Sequence, residues 1–282
     1  MPGQPVPEDL TLANTPEAIR DWIGQLRHRF GGRPVALALE KSRSGLVHTL
    51  MQYDFVVLYP LNAAAVARYR QAFATSRAKD DPTDAELLAD LLAKHRDEFR
   101  PWTPDTATTR ELAALGEARR QAVNLRTNLS NRLTATLKSY YRQALELIGE
   151  DVYSPLALEF LTKWPNLPAL QRARAETVRR FYYAHNSRRA DVIEERLQLI
   201  ATATPLTTDA AIVEPAMLTV QMLVEQLRAL AGAIRRYESR QAESFAAHED
   251  APLFASCPGA GAIFAPRLLA AFGSDRQRYD SA

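Results

Sequence analysis

The chain has 282 residues, 46% of them hydrophobic, and its 35 Lys and Arg nearly balance 33 Asp and Glu, for a net charge of +2. This balance excludes a polycation, so any nucleic-acid surface must come from local clusters of arginine. The single Cys257 excludes an internal disulfide framework and a multi-cysteine zinc site. We find no signal peptide and no apolar run long enough to span a bilayer, and we expect a cytoplasmic protein without a membrane partner.

The first part of the chain predicts alternating helices and strands. Short, nearly continuous apolar runs suit strands that are buried on both faces, and apolar residues at a spacing of three and four suit the helices between them. Such alternation implies a mostly parallel sheet with helices on its faces. The predicted elements are a helix from the Asn14–Thr15 cap to Gly31–Gly32, a strand at 35–39, a helix at 44–53, a strand at 55–60 and a helix at 62–74.

Carboxylates follow these elements in a pattern that suits a metal site. Glu40 comes directly after the first predicted strand, and Asp81 and Asp84 lie at the start of a later helix whose first turn contains Pro82. A strand-end glutamate and an Asp-x-x-Asp helix start provide the ligands needed to hold two divalent ions about 4 Å apart for phosphodiester chemistry. The alternatives are a solvated strand end and an ordinary acidic helix start that the helix dipole favours.

Three short motifs carry a family resemblance. Glu40 is followed by a glycine at position 45, the second strand ends in Tyr59–Pro60–Leu61–Asn62, and Lys79-x-Asp81-x-x-Asp84-Ala85 comes next. This order resembles the transposases of the insertion sequence 110 family. Relative to the family pattern, the glycine after Glu40 is one step late, Tyr-Pro replaces Asn-Pro, and Asp80 replaces a threonine.

The resemblance implies an N-terminal domain, residues 1–104, with a RuvC-like, RNase H-type fold. Its metal site is a tetrad of three aspartates and one glutamate, so Glu40, Asp81 and Asp84 would be the catalytic metal ligands for Mg²⁺ or Mn²⁺. Asp80 and Asp90 would be bystanders. The family's first aspartate lies on the first strand, and no such strand precedes Leu10. We therefore expect a sheet lacking its first strand, a chain truncated at the N-terminal end and compromised two-metal chemistry.

Residues 105–250 predict a long antiparallel helical region. Apolar residues from Leu112 to Ala144 and from Met217 to Tyr237 repeat at helical spacing. The arginines around the first helix suit either a solvated bundle face or a coiled-coil arm that dimerises and follows a nucleic-acid backbone. The resemblance favours the second reading, with a homo-oligomer formed through the long helices and a structured guide RNA as partner. These arginines are Arg119, Arg120, Arg126 and Arg132.

A second arginine cluster contains interleaved aromatic residues. Arg179, Arg180, Arg188 and Arg189 surround residues 181–183, which read Phe-Tyr-Tyr. Arginine with aromatic rings can pair with phosphates and stack on unpaired bases. The alternative is that the rings belong to the core and the arginines only solubilise the surface.

Residues 251–282 resemble the start of the family's second domain. Pro258-Gly259-Ala260-Gly261 between two helices suggests a partial helix-hairpin-helix, in which Gly259 and Gly261 let the backbone approach a phosphate. The family's catalytic serine lies further on, so Ser274 and Ser281 are not candidate nucleophiles. We expect the chain to be truncated at this end also.

The sequence thus indicates an α/β domain followed by an α region, in a DNA transposase of an insertion sequence. By the resemblance, a metal-binding carboxylate site would position the scissile phosphate, and a serine missing from this fragment would attack it. The fragment would be bacterial, associated with the nucleoid and inactive alone. Two alternatives stay open: an RNase H-like nuclease acting on structured DNA, and a non-catalytic fragment that binds nucleic acid or oligomerises.

Overall fold

A computed structural model describes residues 10–39, 45–62, 64, 66–68 and 81–276. The chain divides into two units, residues 1–104 and 105–282. Glu40 and Ser281 lie outside the described residues, and so do the side chains of residues 81–84. The predicted class, an α/β part followed by an α part, is compatible with the mostly helical structure and its small parallel sheet.

The first described helix has the ends that the sequence predicts. Helix α1 (Pro16–Phe30) starts after Thr15, whose hydroxyl accepts a hydrogen bond from the Ala18 N–H at 3.3 Å, and it ends before Gly31. A capping hydroxyl satisfies one of the N–H groups that the first turn leaves without a partner. Ile19 and Ile23 of α1 are buried in the core of this unit.

Two parallel strands form the described sheet. Strand β1 (Val35–Leu39) pairs with β2 (Val56–Pro60), and helix α2 (Gly45–Leu50) lies between them in sequence. The register runs from Val35 opposite Val56 to Leu39 opposite Pro60. Leu61 continues past the second strand and donates its N–H to the Leu39 carbonyl at 2.7 Å. Both strands therefore end at the same edge of the sheet.

Helix α3 (Asp81–His95) packs an apolar stripe of leucines against this sheet. Leu87, Leu88 and Leu91 lie in one apolar cluster with Ala38 of β1 and with Leu61. The apolar stripe fixes α3 to the strand that ends next to position 40. A short 3₁₀ turn, Arg96–Glu98, follows.

Two long helices pack antiparallel in the second unit. Helix α4 (Ala107–Tyr140) has 34 residues and α10 (Ala210–Ala246) has 37. Glu111 of α4 pairs with Arg240, and Arg119 pairs with Glu238, so partner numbers fall along one helix as they rise along the other. Hydrogen bonds from Ser244 and then from Arg240 hold the pKa of Glu111 below its ordinary value.

The first long helix ends earlier than the apolar spacing predicts. It stops at Tyr140, where Tyr141 takes a non-helical conformation, and α5 (Gln143–Ile148) starts a new direction. Tyr140 and Tyr141 are both buried. Neighbouring side chains on a helix point about 100° apart, so the break lets both rings enter the core.

Short helices complete the core of the second unit. An aromatic cluster, Phe160, Trp164, Phe181 and Tyr182, has ring centroids 5.0–6.4 Å apart. Such contacts add to the stability that burial alone gives. The helices are α6 (Pro155–Lys163), α7 (Leu167–Gln171), α8 (Ala175–Ala184) and α9 (Ala190–Thr202).

The last described segment packs on the start of α4. Helices α11 (Ala251–Ala255) and α12 (Gly261–Phe272) join through a turn, and Phe254 and Leu269 contact Leu112. Ser274 fastens the end of this segment, because its N–H donates to Asp105 Oδ1 at 2.8 Å and its hydroxyl accepts from the Thr106 N–H at 2.9 Å.

A pair of tyrosine substitutions tests the packing of this core. The Tyr141 hydroxyl is buried without a hydrogen-bond partner among the described residues, whereas the Tyr182 hydroxyl donates to the Leu147 carbonyl at 3.0 Å. We expect Tyr141→Phe to raise the free energy of unfolding by about 1 kcal/mol and Tyr182→Phe to lower it by about 1 kcal/mol. Urea unfolding followed by circular dichroism measures both. Equal losses in the two variants would show that the Tyr141 hydroxyl is satisfied.

Candidate functional site

The sequence predicts three metal ligands at one edge of the sheet. The structure describes the residues next to them in the chain. Leu39 is the last residue of β1, immediately before Glu40, and the backbone of Asp81 and Asp84 forms the first turn of α3. The Glu40 residue and the two aspartate side chains lie outside the described part.

The residues next to the predicted ligands border one cavity. Leu39, which precedes Glu40, and Ala85, which follows Asp84, both line a groove of about 830 Å³ in the first unit. In α/β folds, ligands bind at the carboxyl ends of parallel strands, and both strands of this sheet end at the edge that Leu39 occupies. The backbone therefore brings Leu39 and Ala85, the sequence neighbours of two predicted ligands, to a common cavity.

The side chains that the structure describes provide no alternative metal site. Within that part of the chain, no group of three or more His, Cys, Asp or Glu residues is arranged to hold a metal ion. The ligands that the sequence predicts for a divalent ion are Glu40, Asp81 and Asp84. Three carboxylates are a donor set that suits Mg²⁺ or Mn²⁺.

The arginines predicted on α4 have different surroundings. Arg119 donates to Glu238 at 2.7 Å and is mostly buried, and Arg120 pairs with Glu117 at 2.6 Å. The guanidinium of Arg126 lies 4.2 Å from the centre of the Tyr153 ring. Arg132 is exposed, and no carboxylate of the described residues pairs with it. Arg132 is thus the most available of the four for a phosphate.

The second arginine cluster also contains both ion-paired and unpaired members among the described residues. Arg179 forms two hydrogen bonds with Glu194, at 2.8 and 3.1 Å, which raise the pKa of Arg179, and Arg189 pairs with Asp191 at 2.6 Å. Arg180 and Arg188 are exposed and have no ion pair with any carboxylate that the structure describes.

The aromatic residues beside these arginines belong mainly to the core. Phe181 and Tyr182 are buried in the aromatic cluster, so they cannot stack on bases. For these two rings the structure agrees with the alternative in which they belong to the core. Tyr183 differs, because 46% of it is exposed.

The glycine turn before α12 is open to solvent. Gly259 has φ 74° and Gly261 has φ 51°, a left-handed conformation that favours glycine. Both glycines are exposed, and a Cβ at either position would meet no described atom within 4 Å. The turn is therefore accessible to a ligand backbone. Ser274, in contrast, is held by Asp105 and Thr106.

Sequence reasoning missed a basic groove in the second unit. Two adjoining cavities, of about 770 and 520 Å³, share Glu159 and Arg228 as lining residues. We call this continuous depression the basic groove. Its basic side chains come from α4, α6, α8 and α10, which are distant in sequence, so no local spacing could reveal it. They are Arg126, Lys163, Arg180, Arg228 and Arg235.

Comparison with known proteins identifies the class. A family model for DEDD transposases of the insertion sequence 110 type, described as a transposase, matches residues 2–142, which is half of the 282 residues. The chain belongs to this transposase family. No described helix is long and apolar enough to cross a membrane.

Two curated relatives are similar to more of the chain than residues 2–142. A Streptomyces coelicolor protein named "Mini-circle putative transposase for IS117" is 28% identical over 253 residues, which is 88% of this chain and 61% of that protein. A Sinorhizobium fredii protein named "Putative transposase y4uE" is 26% identical over 170 residues, 60% of this chain and 47% of that protein. The chain thus spans 61% or less of the length of these relatives.

Proposed function

We propose that the chain acts in DNA transposition, with the first unit as a RuvC-like domain whose Glu40, Asp81 and Asp84 hold Mg²⁺ or Mn²⁺. The observation that carries this proposal is the cavity bordered by Leu39 and Ala85, the neighbours of Glu40 and Asp84. When bound, a divalent ion supplies the positive charge that polarises a scissile phosphate. The start of α3 favours ionised aspartates, because the N-terminal end of a helix dipole is positive.

The second unit would hold the nucleic acid and a second copy of the chain. The antiparallel pair of α4 and α10 supports an arm of coiled-coil type, about 50 Å long at 1.5 Å per residue. Of the eight arginines assigned to nucleic acid, Arg132, Arg180 and Arg188 are the exposed ones without an ion pair in the described structure, so they would contact phosphates first. DNA is the substrate in this proposal, and a structured guide RNA is the partner.

The glycine turn would complete the nucleic-acid surface. Gly259 and Gly261 expose backbone in front of α12, as a phosphate contact in a helix-hairpin-helix requires. We assign no serine of this chain as nucleophile. The hydroxyl and N–H of Ser274 support its structural role, since both bond to the segment that starts α4.

Divalent-ion binding tests the proposal. We expect Glu40→Gln, Asp81→Asn and Asp84→Asn each to weaken Mn²⁺ binding at least tenfold, as measured by isothermal titration calorimetry on the full chain, because each removes one charged ligand. Asparagine keeps the capping ability of the first turn, so the helix start is preserved. Asp90→Asn is the matched control on the same helix, since the Asp90 carboxylate bonds to Lys94 at 2.8 Å. Equal effects of Asp84→Asn and Asp90→Asn would overturn the site.

A further inference from the structure

The basic groove lies where α6, α8 and α10 meet. Its lining contains five Lys or Arg side chains and three carboxylates. One of those carboxylates is already neutralised, because Glu238 pairs with Arg119 at 2.7 Å. The groove is therefore more positive than its composition indicates.

The basic side chains of the groove keep their charges available. Lys163 and Arg180 are exposed, and neither forms an ion pair with a carboxylate of the described structure. The Arg228 Nη2 donates to the Thr162 hydroxyl at 3.1 Å and contacts the Leu158 carbonyl at 3.4 Å. These neutral acceptors orient the guanidinium without neutralising it.

Two packed aromatic rings lie beneath one end of the groove. The Lys163 Nζ lies 4.8 Å from the centre of the Trp164 ring and 5.6 Å from that of Phe181. Both rings are buried and packed against each other, with centroids 5.0 Å apart. A cation held over a fixed ring loses less freedom when it binds an anion.

The spacing of the charges suits a polymer of phosphates. Arg228 and Arg235 lie on α10 seven residues apart, about 10 Å along the helix, and Lys163 and Arg180 extend the positive charge beyond Arg228. Phosphates of one DNA strand repeat about every 3.4 Å along the duplex axis, so this length matches several of them rather than one small anion.

We infer that the basic groove binds the sugar-phosphate backbone of a nucleic acid, with Lys163, Arg180 and Arg228 as the central contacts. The inference rests on the proposed function, which supplies a nucleic acid as ligand. Thr177 also lines the groove and provides a hydroxyl donor for a phosphate oxygen. DNA and RNA present the same phosphodiester chemistry, and the experiment separates them.

The test compares two triple variants of the full chain by fluorescence anisotropy, with a labelled 20-base-pair DNA duplex and a labelled RNA hairpin as probes. We expect Lys163→Gln, Arg180→Gln and Arg228→Gln together to weaken binding at least tenfold and to lower the log–log salt slope by about 2 to 3. The control removes the same charge from surface ion pairs: Lys94→Gln, Arg240→Gln and Arg276→Gln, whose partners are Asp90, Glu111 and Asp250. Its expected loss is less than threefold.

Each outcome decides the matter. A selective loss for DNA, RNA or both supports the groove and identifies the nucleic acid that it binds. An equal loss in the two triple variants, or none in either, overturns it. Helical circular dichroism shows whether the variants are folded. The single substitution Lys163→Gln, which removes no hydrogen bond between described residues, replaces the triple variant if that one unfolds. Mn²⁺ affinity should stay unchanged in the groove variant, so a failure of the metal site and a failure of the groove are told apart.

Discussion

Raising the pH from 9 to 11 is expected to remove about 4 kcal/mol from the free energy of unfolding of the second unit, through three buried phenols. Burial raises the pKa of Tyr182 to about 12, and it raises the pKa of Tyr140 and of Tyr141 further. In the unfolded chain each phenol has a pKa of about 10.

The free energy of unfolding falls as the pH rises, because the unfolded state loses its phenolic protons first. Above pH 10 the unfolded chain releases three phenolic protons that the folded chain keeps, so the unfolded state gains stability as the pH rises. The stability contributed by the protonated phenols is complete below pH 10 and is lost as the pH approaches the folded-state values. Between pH 10 and the folded-state pKa, each phenol lowers the free energy of unfolding by about 1.4 kcal/mol per pH unit.

Urea unfolding of the full chain at a series of pH values measures this dependence. The signal at 222 nm is suitable, because the unit is helical and α4 and α10 are its longest helices. Tyr141→Phe removes one of the three groups, so its loss between pH 9 and pH 11 should be about 3 kcal/mol. An unchanged dependence in Tyr141→Phe would show that this phenol ionises in the folded chain.

The local elements of the first unit could be predicted from sequence because their signals are local. Thr15 and Pro16 start α1, and Gly31 follows its end. The apolar runs before Glu40 and around Leu58 form the paired strands. Leu87, Leu88 and Leu91 of α3, which recur at helical spacing, pack on the sheet.

The surface of the second unit could not be predicted, because its interactions link distant parts of the chain. Nothing near Arg119 indicates that Glu238, on the other long helix, neutralises it. Likewise Arg179 reaches Glu194 on α9, whereas the adjacent Arg180 faces the groove. Charge patterns along one helix therefore predict which residues are basic but not which of them stay available for a ligand.

The candidate metal site could be predicted from sequence only in part. Family motifs select Glu40, Asp81 and Asp84, and the described backbone places their neighbours Leu39 and Ala85 at one cavity. Local sequence predicts the strand end and the helix start. The strand end and the helix start come together because Leu88 and Leu91 pack on the sheet. The spacing of these leucines predicts an apolar face but not the surface against which that face packs.

Truncating Leu112 is expected to release the segment that carries the glycine turn. Leu112 is fully buried and packs with Phe254 and Leu269 of the segment after α10. Leu112→Ala should cost about 2–5 kcal/mol, because the cavity it leaves cannot close completely. Residues 251–276 should open most easily, since this small cluster contains most of their core contacts.

Hydrogen exchange of the full chain measures the effect where it occurs. With about 3 kcal/mol lost, the protected amides of α12 should exchange about 100-fold faster, whereas those of α5 and α6 should change little. Leu125→Ala, at an exposed position of the same helix α4, is the matched control and should alter neither region. Uniform acceleration in both regions would mean that the segment does not open by itself. Selective acceleration would show that Leu112 holds Gly259 and Gly261 in the position that their proposed phosphate contact requires.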